Sequence, residues 1–421
     1  MTLKVVKANF RIVTPMFIGD AEQCASVIRP PAVKSALRFW WRAMNWAAAM
    51  KQTGGREDAL RLLHKREARL FGSAGDEKSG GQGKFIINVI ETSDLHTLNS
   101  DQFCRQLPLG TGHKYLLGQG LYDRGNQENP EMIRRSALFY TPALDSGTFN
   151  VRLAFRSGKD VTDEDIKSII DALILFGLLG GLGSRVRRGL GSVSIVSLSG
   201  NFSSERLPTD VEGYQQAIRR LVGDVNDLPS DPPPYTAFYQ GSRVDVSLQG
   251  VDAWALLGQI GSKMQLYRSY GRRDRDGIYR VGGQGALQLF KRPDHDLIYD
   301  IATTSRSNIP GHPERVVFGL PHNYFFSQRG VNRVDVNGET SLRRASPLFI
   351  HIHQFPDSRC AAVQVMMRAQ FLPRTEKIAM RVMNRNPGVL AEQDIAWHRL
   401  QKYLDGEWTK PNPWNGQRIW P

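Results

Sequence analysis

Two stretches of this sequence combine residue types that handle phosphate groups. The first is Ile28-Arg29-Pro30-Pro31-Ala32-Val33-Lys34-Ser35-Ala36-Leu37-Arg38-Phe39-Trp40-Trp41-Arg42. Proline suits the first turn of a helix because its missing N–H would have no partner there. In the helix that follows, Val33, Leu37, Trp40 and Met44 share one face, while Lys34, Arg38 and Arg42 recur at i, i+4 and i+8 and stack on another. Like charges in such a row repel by ~0.2–0.5 kcal/mol per pair. Phosphates would remove that cost, helped by the N–H groups of the first turn, and Arg29 flanks that turn. Trp41 reads either as a ring that stacks on a base or as a core residue. The row itself reads as a phosphate contact or as an ordinary solvated basic face.

The second stretch is Gly180-Gly181-Leu182-Gly183-Ser184-Arg185-Val186-Arg187-Arg188-Gly189-Leu190-Gly191, with five glycines in twelve residues. Glycine admits positive φ and close approach of a ligand, and successive amides can form an anion-binding nest. The expected contacts are Gly181, Gly183, Ser184, Gly189 and Gly191 through the backbone, and Arg185, Arg187 and Arg188 through forked guanidinium donors. The spacing lacks the G-x-x-x-x-G-K-[ST] of a nucleotide loop. The dinucleotide pattern fails as well, since the loop follows a helix and precedes a strand. An extended RNA backbone fits better than a nucleotide; the bland alternative is a flexible turn with solvated arginines.

Weaker signals lie further on. Arg268, Arg272, Arg273, Arg275 and Arg280 alternate with Tyr267, Tyr270 and Tyr279, which reads as a loop that follows single-stranded RNA or as a merely basic loop. Arg343-Arg344 reads as a further phosphate contact or as plain surface. His351 and His353 alternate on a strand, and two histidines without a third ligand make a poor zinc site; packed sheet histidines are expected. Cys24, Cys104 and Cys360 are too far apart for a disulfide framework or a CxxC site and are expected as buried or inert thiols. No metal and no cofactor is expected.

The elements that would hold these residues follow from periodicity. Val6, Ala8, Phe10 and Ile12 alternate with polar residues as a half-buried strand. Helix is expected over about 32–49, strand over 84–91, and a second alternating strand around Phe149 to Phe155. Thr162 with Asp165 forms a capping box ahead of the stripe Ile166, Ile169, Ile170, Leu173 and Ile174, and a strand follows at 192–196. Two such strand–helix–strand units give an antiparallel sheet with helices on one face and the other face open to a ligand. Four prolines between residues 229 and 234 break any helix or central strand and mark a linker. The second half repeats the pattern less regularly: strands at 243–248, 347–354 and 362–371, helices at 252–267 and 395–404. The expected fold is α+β, with two tandem ferredoxin-like, RRM-type domains over 1–226 and 235–421. Stretches near 95–147 and 267–285 are inserted into them.

Composition sets the frame. The 421 residues carry 55 Lys and Arg against 41 Asp and Glu, a net charge of +14, and 41% are hydrophobic. That suffices for real cores and favours a polyanionic partner. No apolar run reaches the ~18 residues of a membrane span, and the N-terminus lacks a signal-peptide core, so a cytoplasmic protein is expected.

Several of these motifs resemble the RAMP superfamily of CRISPR proteins. A glycine-rich loop with arginines between the last helix and last strand of a ferredoxin-like unit is that superfamily's mark. Thr14-Pro15-Met16-Phe17-Ile18-Gly19, Ile28-Arg29-Pro30-Pro31, Leu37-Arg38-Phe39-Trp40-Trp41-Arg42-Ala43 and Leu70-Phe71-Gly72 are similar to the first, head subunit of Cmr-type, type III-B effectors. So are Phe318-Gly319-Leu320-Pro321 and Arg343-Arg344-Ala345-Ser346-Pro347-Leu348. The resemblance implies a non-catalytic subunit near the 3′ end of the guide RNA (crRNA) that helps to capture target single-stranded RNA and packs on other RAMP subunits, with no membrane partner. Target cutting in such complexes belongs to another subunit. A metal-independent RAMP endoribonuclease is the alternative; it needs a general base, and His64 and His113 are the nearest candidates. A scaffold whose basic faces serve protein contacts is the third.

Overall fold

A computed structural model of the chain describes residues 4–19, 24, 25, 27–74, 81–91, 95–125, 132–139, 147–156, 161–200, 206–304, 311–326, 328, 330–383 and 388–421. Parts of the expected insertion at 95–147 lie outside the described residues.

Strand β1 (Val5–Ile12) buries Val6, Ala8 and Phe10 and turns Lys7 outward, as the alternation requires. Helix α1 (Pro30–Thr53) opens on its two prolines and closes at Gly54, whose N–H donates to the Met50 carbonyl at φ 69°. Helix α2 (Arg56–Phe71) places Glu57 and Asp58 in its first turn, where acids complement the helix dipole; it is an addition to the elements expected from periodicity. Strands β2 (Phe85–Glu91) and β3 (Thr148–Phe155) precede α3 (Asp163–Leu179), which begins with the Thr162–Asp165 capping box, and β4 (Val193–Gly200) closes the unit. The sheet is antiparallel in the order β4-β1-β3-β2. One face, with Val6, Ala8, Phe10, Val151 and Leu153, joins α1 and α3 in a hydrophobic core.

The outer face carries Lys7 and Asn9 on β1, Ile86, Asn88 and Ile90 on β2, Asn150 and Arg152 on β3, and Ser197 and Ser199 on β4. Among the described residues of these strands it bears no aromatic ring, so they do not build the base-stacking surface of an RRM sheet.

A second sheet contains β5 (Arg243–Gly250), β6 (Leu348–Gln354), β7 (Cys360–Met366) and β8 (Gln417–Trp420), ordered β6-β7-β5-β8. The fold is thus α+β with antiparallel sheets. By compactness the chain forms two units. The first comprises residues 1–258, 349–367 and 416–421 and holds both of these sheets; the second comprises 259–348 and 368–415. The proline segment at 229–234 lies inside the first unit, so compactness divides the chain differently from the expected 1–226 and 235–421.

The second unit contains a small three-stranded sheet (Arg272–Arg273, Tyr279–Val281, Gln284–Gly285) and a four-stranded one (His322–Tyr324, Val334–Gly338, Ile378–Val382, Val389–Ala391). Its buried polar centre is Asp294, which accepts from the Arg315 guanidinium at 2.6 Å and the Tyr324 hydroxyl at 2.9 Å.

The start of α3 yields a pH prediction. Burial works against the charged Asp165 carboxylate, but the Arg69 guanidinium and the N–H and hydroxyl of Thr162 outweigh it and hold its pKa below the usual range. The stabilisation is therefore complete above the unfolded carboxylate pKa of about 3.9 and is lost as pH falls through the lower folded value. Asp165→Asn is expected to lower Tm at neutral pH and to flatten the acid limb of a Tm-against-pH curve. An unchanged acid limb would remove Asp165 from the account.

Candidate nucleic-acid interface

The basic row of α1 is half-exposed, and its repulsion is partly relieved within the chain. Arg38 Nε and Arg42 Nη1 both donate to Glu67 Oε1 of α2, at 2.5 and 2.6 Å, and the Glu67 side chain is 5% exposed. Two guanidinium groups therefore share one carboxylate, and Lys34 adds a third cation to the row. Burial and then the Arg38 charge push the Lys34 ammonium below its ordinary pKa. Arg29, at the helix entrance, donates to the Gly19 carbonyl at 2.9 Å.

The sequence reading did not see Glu67, although a signal was present. The stripe Ala59, Leu63, Glu67, Leu70 is buried at helical spacing, and a charged residue in an apolar stripe demands a buried partner.

Trp41 corrects an expectation. It is 2% exposed, packs edge-on against Phe71 and donates its indole N–H to Ser168 Oγ at 2.7 Å. It belongs to the core and offers no face to a base, because the turn of the helix that points Arg38 and Arg42 toward Glu67 in mid-α2 points Trp41 toward Ser168 of α3 and Phe71 at the end of α2.

The glycine-rich loop is also corrected in part. Its N–H groups at Leu182, Ser184, Arg188, Gly189 and Gly191 donate to the carbonyls of Gly191, Phe17, Arg185, Val186 and Pro15, so they do not point into an open anion nest. Gly183 and Gly191 have φ of +91° and +66°, and a Cβ would stand 2.6 Å from the Phe17 oxygen and 2.0 Å from the Leu182 oxygen. Gly181 and Gly189 are equally hemmed in, by the Gly191 carbonyl and by Leu257 and Ile350. The glycines allow backbone to cross backbone.

The arginines of the loop are half-exposed and also engaged. Arg185, itself at φ 63°, donates to the Gln119 carbonyl, and Arg188 donates to the Leu116 carbonyl at 3.1 Å. The Arg187 guanidinium lies 4.3 Å from the Phe349 ring centroid and 5.9 Å from that of Phe39 on α1. Arg187 thus reaches α1, one residue from Arg38, and the two sequence clusters meet through the Phe39 ring.

Arg272 and Arg273 are exposed on the small sheet of the second unit, where Arg273 donates to the Gly277 carbonyl and Arg280 pairs with Asp274. The tyrosines do not all accompany them. Tyr267 is 2% exposed among Phe290, Phe318, Tyr403 and Trp408, and Tyr270 stacks on His295 at 3.9 Å.

His113, His351 and His353 are packed residues. His113 stacks on Trp254 at 4.0 Å, accepts from the Gly110 N–H, and is pushed below its ordinary pKa by burial. Burial takes the His351 imidazole down to about 3 and lowers that of His353, which lies 3.2 Å from Ser194 Oγ. His64 is exposed on α2. No group of three metal-ligating side chains occurs among the described residues. Of the thiols only Cys360 is buried; Cys24 is exposed and Cys104 intermediate. No described helix is long and apolar enough to cross a membrane.

The first unit thus presents a four-stranded antiparallel sheet with a crossing glycine–arginine loop between the sheet's last helix and last strand. Residues 9–194, which run from within β1 through the loop to the start of β4, match the RAMP superfamily. The similarity extends further along the chain to one kind of subunit. The chain is 24% identical over 336 residues to the CRISPR system Cmr subunit Cmr1-1 of Pyrococcus furiosus, covering 77% of this chain and 76% of that protein. The crystal structure of Cmr1 from Pyrococcus furiosus in its apo form superposes with a TM-score of 0.54 at 18% identity, covering 99% of this chain and 98% of that one. A chain from a Type III-B Cmr-beta complex bound to cognate target RNA aligns with a TM-score of 0.47 at 12% identity over 96% of this chain and 99% of that one.

Proposed function

We propose that this chain is a non-catalytic RNA-binding subunit of a type III-B CRISPR effector. In this reading it contacts the 3′ region of the guide RNA, helps to capture target RNA in antiviral defence, and works in the cytoplasm beside other RAMP subunits. Both four-stranded sheets of the first unit fit a ferredoxin-like origin. Read in chain order, the first runs 4-1-3-2, and the second runs 2-3-1-4, the same order seen from its other end.

The observation that carries the proposal is the α1 row. Lys34, Arg38 and Arg42 stand half-exposed, the two arginines share the buried Glu67 carboxylate, and Arg187 adds a fourth cation over Phe39. A surplus of guanidinium on a rigid helix attracts a phosphate chain. The non-catalytic part is supported at His113, whose ring is stacked and hydrogen-bonded and so is not positioned to take a proton from a 2′-OH; His64, the other candidate base, is exposed on α2 and is answered by the cleavage assay.

The test is binding of a labelled single-stranded RNA to the purified full-length chain across a salt series. Lys34→Gln with Arg38→Gln and Arg42→Gln is expected to weaken binding about tenfold or more and to lower the log K against log salt slope by about 2, near 0.7 per lost phosphate contact. Unchanged affinity and slope would overturn the interface. Site-specific cleavage of repeat RNA by the pure chain would overturn the non-catalytic assignment.

A further inference from the structure

In the second unit, two arginines stand over aromatic rings without a carboxylate. The Arg344 guanidinium carbon lies 5.8 Å from the Phe371 ring centroid, and that of Arg368 lies 5.4 Å from the Trp397 ring. Phe371 and Trp397 meet edge to face at 6.3 Å and 77°. The four side chains form a row: Arg344, Phe371, Trp397, Arg368.

Both Nε atoms are buried and have no hydrogen-bond partner among the described residues, and neither arginine makes an ion pair there. Two other partly buried arginines of the same unit are neutralised, Arg315 by Asp294 and Arg399 by Glu314. Arg343 and Arg374 add exposed charge nearby in sequence. Desolvation without a counter-charge is costly, and it lowers the Arg344 pKa with no other cause acting. A bound anion would compensate both groups.

The presentation is rigid. Arg344 exchanges backbone hydrogen bonds with Leu320, at 2.8 and 3.2 Å. Gly319, at φ +108°, lets the chain pass so close that a Cβ would stand 2.6 Å from the Arg344 oxygen. The motifs Phe318-Gly319-Leu320-Pro321 and Arg343-Arg344-Ala345-Ser346-Pro347-Leu348 thus clasp one another at Arg344. Trp397 is half-exposed, whereas Phe371 is 6% exposed, so only the indole has ring surface to offer a ligand.

We propose that Arg344 and Arg368 bind phosphate groups of a single-stranded nucleic acid while Trp397 stacks on one of its bases. Phosphate explains the uncompensated guanidinium groups, and a base explains the half-open ring between them. The inference rests on the RNA-binding reading of the chain and adds a contact that the α1 row does not supply.

The test uses the purified full-length chain with a labelled oligouridylate and a labelled oligothymidylate. Arg344→Gln with Arg368→Gln is expected to weaken oligouridylate binding about fivefold or more and to lower the salt slope by about 1.4, two phosphates at near 0.7 each. Trp397→Leu, which keeps both charges, is expected to weaken binding with the slope unchanged. Equal effects on both oligomers support recognition of phosphate and ring alone; a larger effect on the RNA supports added 2′-OH contacts. If the double variant does not fold, 4-thiouridine photocrosslinking on the unmodified chain decides. Adducts at Trp397 support the site, and adducts confined to α1 overturn it. Loss of binding in the α1 variant but not in the Arg344 and Arg368 variant overturns this inference alone. No binding by the unmodified chain, free or in its complex, overturns the RNA reading as well.

Discussion

Gly191→Ala is expected to destabilise the protein by roughly 3 kcal/mol or more, among the largest losses a single methyl group can cause. The added Cβ would stand 2.0 Å from the Leu182 oxygen, well inside van der Waals contact, and the obstacle is backbone that is itself hydrogen-bonded: the Leu182 N–H donates to the Gly191 carbonyl. Positive φ adds about 1–2 kcal/mol for any residue with a Cβ. Gly54→Ala serves as the control. Gly54 also has positive φ, +69°, but nothing lies within 4 Å of its Cβ position, so only the backbone term of about 1–2 kcal/mol applies. Urea denaturation of the two variants separates crowding from conformation. If Gly191→Ala kept full stability and lost only RNA affinity, the loop would be an open nest after all.

The same local composition can thus encode two arrangements. Glycines at 180–191 were legible as close approach of backbone, but the approaching group was not. An anion and the Phe17 carbonyl impose the same demand on Gly183, and only long-range pairing with the chain after β1 tells them apart. The arginines carry the same ambiguity. Arg185 and Arg188 were legible as donors in search of oxygen, and carbonyls at Gln119 and Leu116 supply it. Replacing Arg185, Arg187 and Arg188 together would therefore release the 116–119 segment as well as any phosphate, so that variant cannot report on RNA alone.

Elements with a clean period were read well. The strand alternation around Phe10, the prolines opening α1 and the Thr162–Asp165 box fall where the sequence placed them. Helix α2 was missed because charged residues such as Arg61, Lys65 and Arg66 crowd its outer face and Glu67 interrupts its apolar stripe. The division into compact units was not legible either. Strands β6 and β7 and the C-terminal β8 return to the first unit after long excursions, and no local signal at the prolines of 229–234 reports a return more than a hundred residues later.

The α1 row shows how a charged surface can be both structural and functional. Glu67 fixes Arg38 and Arg42 against α2, so less side-chain entropy remains to be lost when phosphate arrives. That carboxylate also weakens the field the row presents, and what remains for an anion is Lys34 together with the outward-facing guanidinium nitrogens. The expected change in salt slope for the triple variant, about 2, counts one phosphate contact for each of the three cations.

Trp41→Ala is expected to cost about 3–5 kcal/mol of stability, the range for emptying a large aromatic site in a core. The indole fills space between α1, α3 and Phe71, and its N–H is satisfied by Ser168. Trp41→Phe keeps most of the apolar contact but leaves Ser168 without its donor, so its cost should be smaller, set by a reduced volume and one hydrogen bond of about 1 kcal/mol. At temperatures where each variant is folded, RNA affinity should match that of the unmodified chain, because no edge of the ring reaches solvent. Denaturant titration measures the first quantity and RNA binding at matched folded fraction measures the second. The reverse pattern, with stability kept and affinity lost, would move Trp41 out of the core and return it to the surface of α1 as a stacking residue.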